Sequence, residues 1–134
     1  MQYFGGKTKV SKQIVDFLES VRKPNQKYIE PFVGGGIICA KMSGDRTASD
    51  FNEYLIEMYK AVQNGCELPE EITEEQYEYT KNHKNADKAL TGFVGFGCSF
   101  AGKFFGGYAR QKGYNFAAGS KRSLLKKMRS KSVV

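Results

Sequence analysis

The 134-residue chain contains no tryptophan, one histidine and only three prolines, none of them adjacent to another. Its three cysteines are widely separated and form no Cys-x-x-Cys pair, so neither a disulfide framework nor a zinc site is predicted. No apolar run approaches the ~18 residues of a membrane-spanning helix, and the N-terminus lacks the pattern of a secretion signal. These absences predict a cytoplasmic protein with reduced cysteines and no membrane partner.

Acidic residues are absent from the last third of the chain. All 14 Asp and Glu lie at or before Asp87, and residues 1–87 carry a net charge of −3, whereas residues 88–134 carry 10 Lys and Arg and a net charge of +10. This basic region is also rich in Phe and Tyr, which predicts a surface that faces a polyanion, most simply nucleic acid. For residues 126–134 a disordered or merely solvated basic tail remains an alternative.

A glycine triplet, Gly34 to Gly36, follows a short β-type run and precedes an apolar stretch at residues 37–42. Three glycines let the backbone turn sharply and approach a ligand without an intervening Cβ. Asp50 ends the second predicted strand, where a carboxylate is suited to bind the two hydroxyls of an adenosyl ribose. Together these features predict a pocket for a nucleoside-containing cofactor.

Hydrophobic periodicity predicts an α/β arrangement. A first helix begins near Thr8 or Ser11, either of which is a possible cap, and Phe17 is assigned to its buried face. Strands at 27–30 and 47–50 alternate with helices at 37–42 and 53–64, which predicts a right-handed parallel βαβ unit. Asn52 is a candidate cap for the helix at 53–64, or a second polar contact at the mouth of the pocket. Beyond residue 65 the sequence predicts a helix from about Thr73, whose glutamates only solvate it, and a second helix within 86–106 that packs through small residues. Residues 106–116 are predicted to form a β-hairpin or a protruding loop. A last helix is predicted at 121–129, with Ser120 as its cap.

Four segments, in this order, resemble the D12-class (Dam-like) DNA adenine-N6 methyltransferases of bacteria and phages. They are Tyr-Phe-Gly-Gly-Lys at 3–7, Glu-Pro-Phe-Val-Gly-Gly-Gly at 30–36, Asp-Phe-Asn at 50–52 with Leu55 and Tyr59 after it, and 92–124 with its Gly-Gly-Tyr-Ala-Arg. The resemblance implies a partial Rossmann-like, S-adenosylmethionine-dependent methyltransferase fold with a mostly helical, basic DNA-recognition region. It assigns residues 1–65 to cofactor binding and 66–134 to an incomplete target-recognition region.

The resemblance also implies roles for individual residues. Tyr3 would pack beside S-adenosylmethionine, Lys7 would face its carboxylate, and Asp50 would bind the ribose. Phe32 would lie against the adenine. The full cofactor set is Tyr3, Phe4, Gly5, Lys7, Glu30, Phe32, Gly34, Gly35, Gly36, Asp50, Phe51 and Asn52. Double-stranded DNA would be contacted at its phosphates by Lys103, Arg110, Lys112, Lys121 and Arg122, and at its bases or sugars by Tyr108, Asn115 and Phe116.

One family motif is missing from the sequence. The catalytic Asp-Pro-Pro-Tyr has no counterpart, because Pro24, Pro31 and Pro69 are isolated from one another. In the family the Asp and a proline carbonyl accept the hydrogens of the adenine N6, and the Tyr stacks on a base flipped out of the duplex. We therefore expect no catalytic residue in this chain, little methyl transfer by it alone, and an origin as the N-terminal portion of a longer enzyme.

Two other functions remain as hypotheses. The first is a non-catalytic DNA-binding or regulatory protein built on a methyltransferase remnant. The second is a nicotinamide-dependent oxidoreductase, which is disfavoured by Pro31-Phe32 ahead of the glycines and by the lack of a Gly-x-Gly-x-x-Gly pattern. The target DNA sequence and the oligomeric state do not follow from the sequence.

Overall fold

A computed structural model of the chain describes residues 1–129. Within that range it contains six α-helices and one two-stranded sheet. The helices are α1 (Ser11–Val21), α2 (Ile37–Lys41), α3 (Glu53–Gln63), α4 (Glu74–Asn82), α5 (Lys88–Gly97) and α6 (Phe116–Arg129), and the strands are β1 (Tyr28–Glu30) and β2 (Arg46–Ala48). Short 3-10 turns precede α1 at Thr8–Val10 and follow α5 at Phe100–Gly102. For residues 126–134 a disordered or solvated tail was one of two alternatives: residues 126–129 form the last turn of α6, and residues 130–134 lie outside the described residues.

The two strands form the parallel βαβ unit that the sequence predicted. β1 and β2 pair in parallel with Ile29 opposite Thr47, and α2 connects them. β2 ends at Ala48, so the prediction that Asp50 closes this strand is wrong. Beyond the strand, the Ser49 N–H donates to the Glu30 carbonyl and the Ser49 carbonyl accepts from the Val33 N–H, both at 2.9 Å. These bonds place Asp50 in a loop directly beside the glycine triplet.

Helix α1 packs against α2 through a small apolar cluster that includes Val15, Ile38 and Met42. Neither predicted cap is correct, because Ser11 is the first residue of the helix and its hydroxyl donates to the Thr8 carbonyl at 2.9 Å. The prediction for Phe17 is also wrong, since its side chain is 66% exposed. The buried stripe is therefore narrower than hydrophobic periodicity suggested.

Helices α3 and α5 form the centre of the main core. Asn52 caps α3 as predicted, accepting from the Leu55 N–H at 3.1 Å. Leu55, Met58 and Tyr59 are fully buried on α3 and pack in one cluster with Phe93 of α5. Helix α4 is capped by Thr73, which forms a reciprocal capping box with Gln76, and it buries Tyr77 against the same core.

The C-terminal third differs from its prediction at the start of the last helix. Helix α6 starts at Phe116, so Ser120 is an internal residue whose hydroxyl donates to the Gly97 carbonyl at 2.7 Å, and the Ala118 N–H bonds the Asn115 side chain instead.

For residues 106–116 the prediction was a β-hairpin or a protruding loop, and the structure has a loop without a regular strand. Within it, an isolated antiparallel bridge between Gln111 and Tyr114 closes a tight turn.

One continuous cluster joins residues from both predicted regions, with Val33, Ala48 and Leu55 on one side and Phe93 and Leu124 on the other. The division at residue 65 thus stays a prediction. Cys39 and Cys98 are buried, Cys66 is exposed, and no disulfide joins them. In the described part of the chain, no helix is long and apolar enough to cross a membrane.

Candidate cofactor-binding cleft

A cleft of about 990 Å³ lies between the glycine loop and α2 on one side and α6 on the other. The N-terminal segment forms its rim with Tyr3 and Lys7, and Glu30 and Gly35 line its floor. Its size is at the upper end of the range for small-molecule and cofactor sites. The fold thus brings the beginning, the glycine loop and the last helix of the described chain around one cavity.

Tyr3 explains why glycine stands at the loop. A Cβ added to Gly34 would lie 3.0 Å from the Tyr3 ring, and one added to Gly35 would lie 3.1 Å from the Tyr3 Cβ. Gly34 also has a φ of +50°, which favours glycine. On its other side the Tyr3 ring stacks on Phe96 with centroids 5.3 Å apart. The absence of side chains at Gly34 and Gly35 therefore makes room for the Tyr3 ring, which forms part of the cleft wall.

Both backbone polar groups of Gly34 are held by side chains. Its N–H donates to Asp50 Oδ2 at 3.0 Å, and its carbonyl accepts from the buried hydroxyl of Tyr59 at 2.7 Å. The other carboxylate oxygen of Asp50 accepts from the Asn52 N–H at 2.9 Å. The segment from Asp50 to Tyr59 thus fixes the glycine loop from behind.

The cleft contains one carboxylate in its lining, that of Glu30. Burial raises the pKa of Glu30, while the Tyr28 hydroxyl, which donates to it at 3.0 Å, and the charge of Lys7 act in the opposite direction. Burial, and secondarily the charge of Asp50, raises the pKa of Tyr3. Tyr3 is therefore neutral near neutral pH and presents an uncharged aromatic ring to the cleft.

Lys127 of α6 enters the cleft from the opposite wall. Its ammonium donates to the carbonyl of Gly35, and burial lowers the pKa of Lys127 to about 8. The amino group of Met1 is nearby, because burial and the charge of Lys127 lower the pKa of that group to about 6. Sequence reasoning did not single out Lys127, since nothing distinguishes it within a run of basic residues.

The predicted cofactor residues separate into two groups. Those that line the cleft are Tyr3, Gly5, Lys7, Glu30, Gly34 and Gly35, and Asp50 bonds the loop from behind without lining it. Those that lie outside the lining are Phe4, Phe32, Gly36, Phe51 and Asn52, with exposed fractions of 64%, 76% and 99% for the three phenylalanines. Tyr59, quoted only as part of a motif, holds the loop directly.

The predicted DNA contacts are partly engaged within the protein. Arg110 forms an ion pair with Glu74 and lies over the Tyr108 ring, 5.7 Å from its centroid. Lys121 pairs with Glu70 at 2.7 Å and with Glu67 at 3.2 Å, and these hydrogen bonds raise the pKa of Lys121. Glu70 and Glu74 therefore bind the basic region, and for these two the prediction that the glutamates of this cluster only solvate a helix is wrong. Glu71, Glu75 and Glu78 are exposed and form no ion pair among the described residues, as that prediction has it.

The remaining DNA candidates occupy different settings. The Tyr108 hydroxyl donates to the Ile72 carbonyl at 2.6 Å, and the Asn115 amide donates to the Glu70 carbonyl at 3.0 Å. Phe116 packs edge-on against Tyr114, and Lys103 lies over the exposed Phe4 ring. Lys112 and Arg122 are exposed and have no ion pair among residues 1–129. Their DNA contacts remain predictions.

The fold and the cleft define an α/β protein with a parallel βαβ unit and a glycine loop beside a cavity of cofactor size. No group of metal ligands accompanies it within residues 1–129. The family model of D12 class N6 adenine-specific DNA methyltransferases matches residues 3–93, more than half of the chain, and the chain belongs to that family. The match ends within α5, so the basic region beyond it is not covered. No curated protein matches the chain closely enough to count as a relative.

Proposed function

We propose that this chain binds S-adenosylmethionine in the cleft and belongs to a system that methylates adenine N6 in DNA. The observation that carries the proposal is the convergence of Tyr3, Glu30 and the Gly34–Gly35 bend on one cavity in a chain of this family. When bound, the cofactor supplies an activated methyl group on a sulfonium centre. The aromatic ring and the exposed backbone of the glycine loop suit the adenosine portion, and lysine and glutamate side chains in the lining offer charges of both signs to the amino-acid portion.

Asp50 has a structural role in addition to the ribose binding that its sequence position indicated. Its carboxylate already accepts from Gly34 and Asn52, one N–H to each oxygen. A carboxylate oxygen has a second lone-pair site, so both bonds are compatible with a ribose hydroxyl as an additional donor. We propose that Asp50 shapes the loop in the free protein and also binds the ribose in the complex, which requires the ligand to extend past the cleft lining to the Asp50 side chain.

Methyl transfer requires groups that this sequence does not supply. The adenine N6 lone pair is delocalised into the ring, so acceptors for its hydrogens and precise positioning are needed before it attacks a methyl group. No Pro-Pro pair occurs in the 134 residues, so the acceptors and the stacking ring of the Asp-Pro-Pro-Tyr motif have no counterpart in the sequence. We therefore propose that this chain binds cofactor and DNA but transfers methyl groups poorly without a further polypeptide segment.

Calorimetric titration with S-adenosylmethionine and with NAD, side by side, tests cofactor choice. We expect binding of the first ligand and none of the second, and loss of that binding in Gly34→Val, whose side chain would meet the Tyr3 ring. The matched control is Gly65→Val, because Gly65 also has a positive φ but no atom stands within 4 Å of its Cβ position. Equal affinity for NAD would refute the assignment.

Incubation with tritiated methyl donor and duplex DNA tests the catalytic part separately. We expect incorporation close to background, and robust incorporation would contradict our account of the missing motif. A non-catalytic DNA-binding remnant makes a different prediction, namely tight DNA binding that is unaffected by cofactor. Measuring DNA affinity with and without S-adenosylmethionine distinguishes the two.

A further inference from the structure

Two amino groups, those of Lys127 and Met1, share the cleft, and the one carboxylate of its lining, that of Glu30, forms an ion pair with neither of them within the described residues. The Lys127 ammonium faces the Gly35 carbonyl, and the Met1 amino group lies within its electrostatic reach. Within the described residues no carboxylate forms an ion pair with Lys127, and burial alone lowers its pKa. Lys121, six residues earlier on the same helix, contrasts with it because Glu67 and Glu70 both bind its ammonium.

A desolvated ammonium without a counter-ion opposes folding. Charges taken out of water are normally paired, and a carbonyl oxygen provides only partial negative charge. Lys127 nevertheless lies three residues after Leu124 in α6, on the same face of the helix. Because Leu124 is fully buried in the core, the packing of α6 directs the Lys127 side chain toward the glycine loop. The missing negative charge would be supplied by a ligand that enters the same cleft.

We propose that Lys127 is an anion-binding residue of the cleft and takes the carboxylate or phosphate oxygens of a ligand whose nucleoside part lies against Tyr3 and the glycine loop. This inference rests on the proposed function and deepens it. For S-adenosylmethionine the group is the carboxylate of its amino-acid portion. An ammonium has three donors, so Lys127 keeps its bond to the Gly35 carbonyl while it binds the anion.

The proposal changes the assignment that the family resemblance implied. That resemblance gave the carboxylate to Lys7, but Lys7 is exposed at the rim and its charge acts on Glu30. Lys127 lies deeper, beside the loop itself. Shielding from water strengthens a charged hydrogen bond, so the deeper ammonium is the stronger anion ligand.

The test uses ligands that differ only in the anionic group. S-adenosylhomocysteine carries the amino-acid carboxylate, whereas 5′-methylthioadenosine has the same nucleoside and sulfur without it. We expect Lys127→Met to weaken S-adenosylhomocysteine on the order of tenfold, the loss of one charge-assisted hydrogen bond, and to leave 5′-methylthioadenosine unchanged. Lys127→Arg retains the charge and should restore most of the affinity, and Lys23→Met, at an exposed lysine that does not line the cleft, is the charge-matched control.

Each other outcome has a defined meaning. If wild type and Lys127→Met bind S-adenosylhomocysteine with equal affinity, Lys127 does not bind the ligand carboxylate. If their affinities for inorganic phosphate and duplex DNA are also equal, Lys127 is not an anion-binding residue and the proposal is refuted. If Lys127→Met lowers only the affinities for inorganic phosphate and duplex DNA, the anion site is supported and the anion that it binds is a phosphate. Tighter binding of both nucleosides by Lys127→Met would show that the side chain obstructs the cleft, and this also overturns the proposal.

Failure of the proposed function is separated by a direct measurement on Lys127. The ammonium titration, followed by NMR of side-chain-labelled lysine, should move upward when an anion binds. If wild type binds neither nucleoside, the methyl-donor assignment fails, yet an upward shift with inorganic phosphate still supports the anion site. No shift with any of these ligands refutes the site itself.

Discussion

At the residue scale, the position of Gly34 is fixed by its backbone conformation and by three side chains around it. It adopts a positive φ, its Cβ position meets the Tyr3 ring, and Asp50 and Tyr59 bind its two backbone polar groups. Sequence reasoning took the glycine triplet as a surface for close ligand approach. In the structure the nearest neighbour is a tyrosine of the protein, so the loop is shaped before any ligand arrives.

Tyr59→Phe isolates one of these constraints. The change removes only the hydroxyl that donates to the Gly34 carbonyl at 2.7 Å and leaves the buried ring in place. A buried acceptor without its donor costs about 1–3 kcal/mol, and we expect the free energy of unfolding to fall by that amount. Urea denaturation of wild type and variant measures the difference.

The matched control for that experiment is Tyr54→Phe. The Tyr54 hydroxyl donates to the exposed Asn85 side chain at 2.8 Å, so water replaces the lost partner and the free energy of unfolding should change little. If the two variants lose equal stability, the bond to Gly34 has no special role in holding the loop.

At the scale of elements, the packing of α5 against α3 depends on small residues. A Cβ on Gly92 would lie 2.1 Å from the backbone oxygen of Tyr54, and one on Gly95 would lie 2.3 Å from the Phe104 ring. Gly97 similarly faces Ser120 of α6 at 3.0 Å. The glycines that weaken the intrinsic helix propensity of α5 thus let two helices and an aromatic segment approach it, as the predicted small-residue face indicated.

Gly92→Ala tests this close approach. Alanine favours the helix intrinsically, but its Cβ would overlap the α3 backbone, which cannot move like a flexible side chain. We expect the steric term to dominate and the free energy of unfolding to fall by at least about 1–3 kcal/mol. Thermal or urea denaturation gives the result, with circular dichroism to check that the fold remains.

Gly106→Ala serves as the comparison, since the nearest atoms to its Cβ position are side-chain carbons of Lys103 at 3.0 and 3.1 Å, against 2.1 Å to backbone at Gly92. A shift of a few tenths of an ångström relieves the contact at Gly106, so the loss should be much smaller than at Gly92. A stable Gly92→Ala protein would mean that α3 and α5 can separate without cost.

On the scale of the whole molecule, the basic and acidic parts of the sequence are brought into contact. Glu67, Glu70 and Glu74 bind Lys121 and Arg110, which reduces the free positive charge of the C-terminal third. Lys112 and Arg122 are exposed and have no ion pair in the described range. The surface available to phosphates is therefore smaller than the net charge of +10 in residues 88–134 suggests.

Salt dependence of DNA affinity distinguishes the two groups. Each phosphate contact contributes about 0.9 to the slope of log affinity against log salt. Lys112→Ala and Arg122→Ala should each reduce the magnitude of that slope by the contribution of about one phosphate contact. Lys12→Ala should leave the slope unchanged, because Lys12 lies in α1, outside the basic region, and pairs with Asp16. Binding whose affinity is independent of salt would contradict a phosphate-facing role.

Stability should also depend on pH through Lys127. Its folded-state pKa is lowered from an ordinary 10.5 to about 8, so between these values the unfolded chain holds a proton that the folded protein has released. The free energy of unfolding contributed by this residue therefore rises with pH across that window. Urea denaturation at pH 7.5 and about 9.5, compared between wild type and Lys127→Met, should show the rise only in wild type. A parallel change in both proteins would indicate that Lys127 is solvated.

The sequence by itself determined the local features, because each depends on residues a few positions apart. The parallel βαβ unit, the Asn52 cap, the helix after Thr73 and the family were all accessible from spacing and motif. Tertiary structure decided where these elements meet. It left Phe17 exposed, ended β2 before Asp50, placed Ser120 inside α6, and paired the glutamates with the basic third. It also brought Lys127 onto the carbonyl of Gly35, 92 positions away. Such contacts arise from packing between distant segments, for which hydrophobic periodicity and charge counts contain no information.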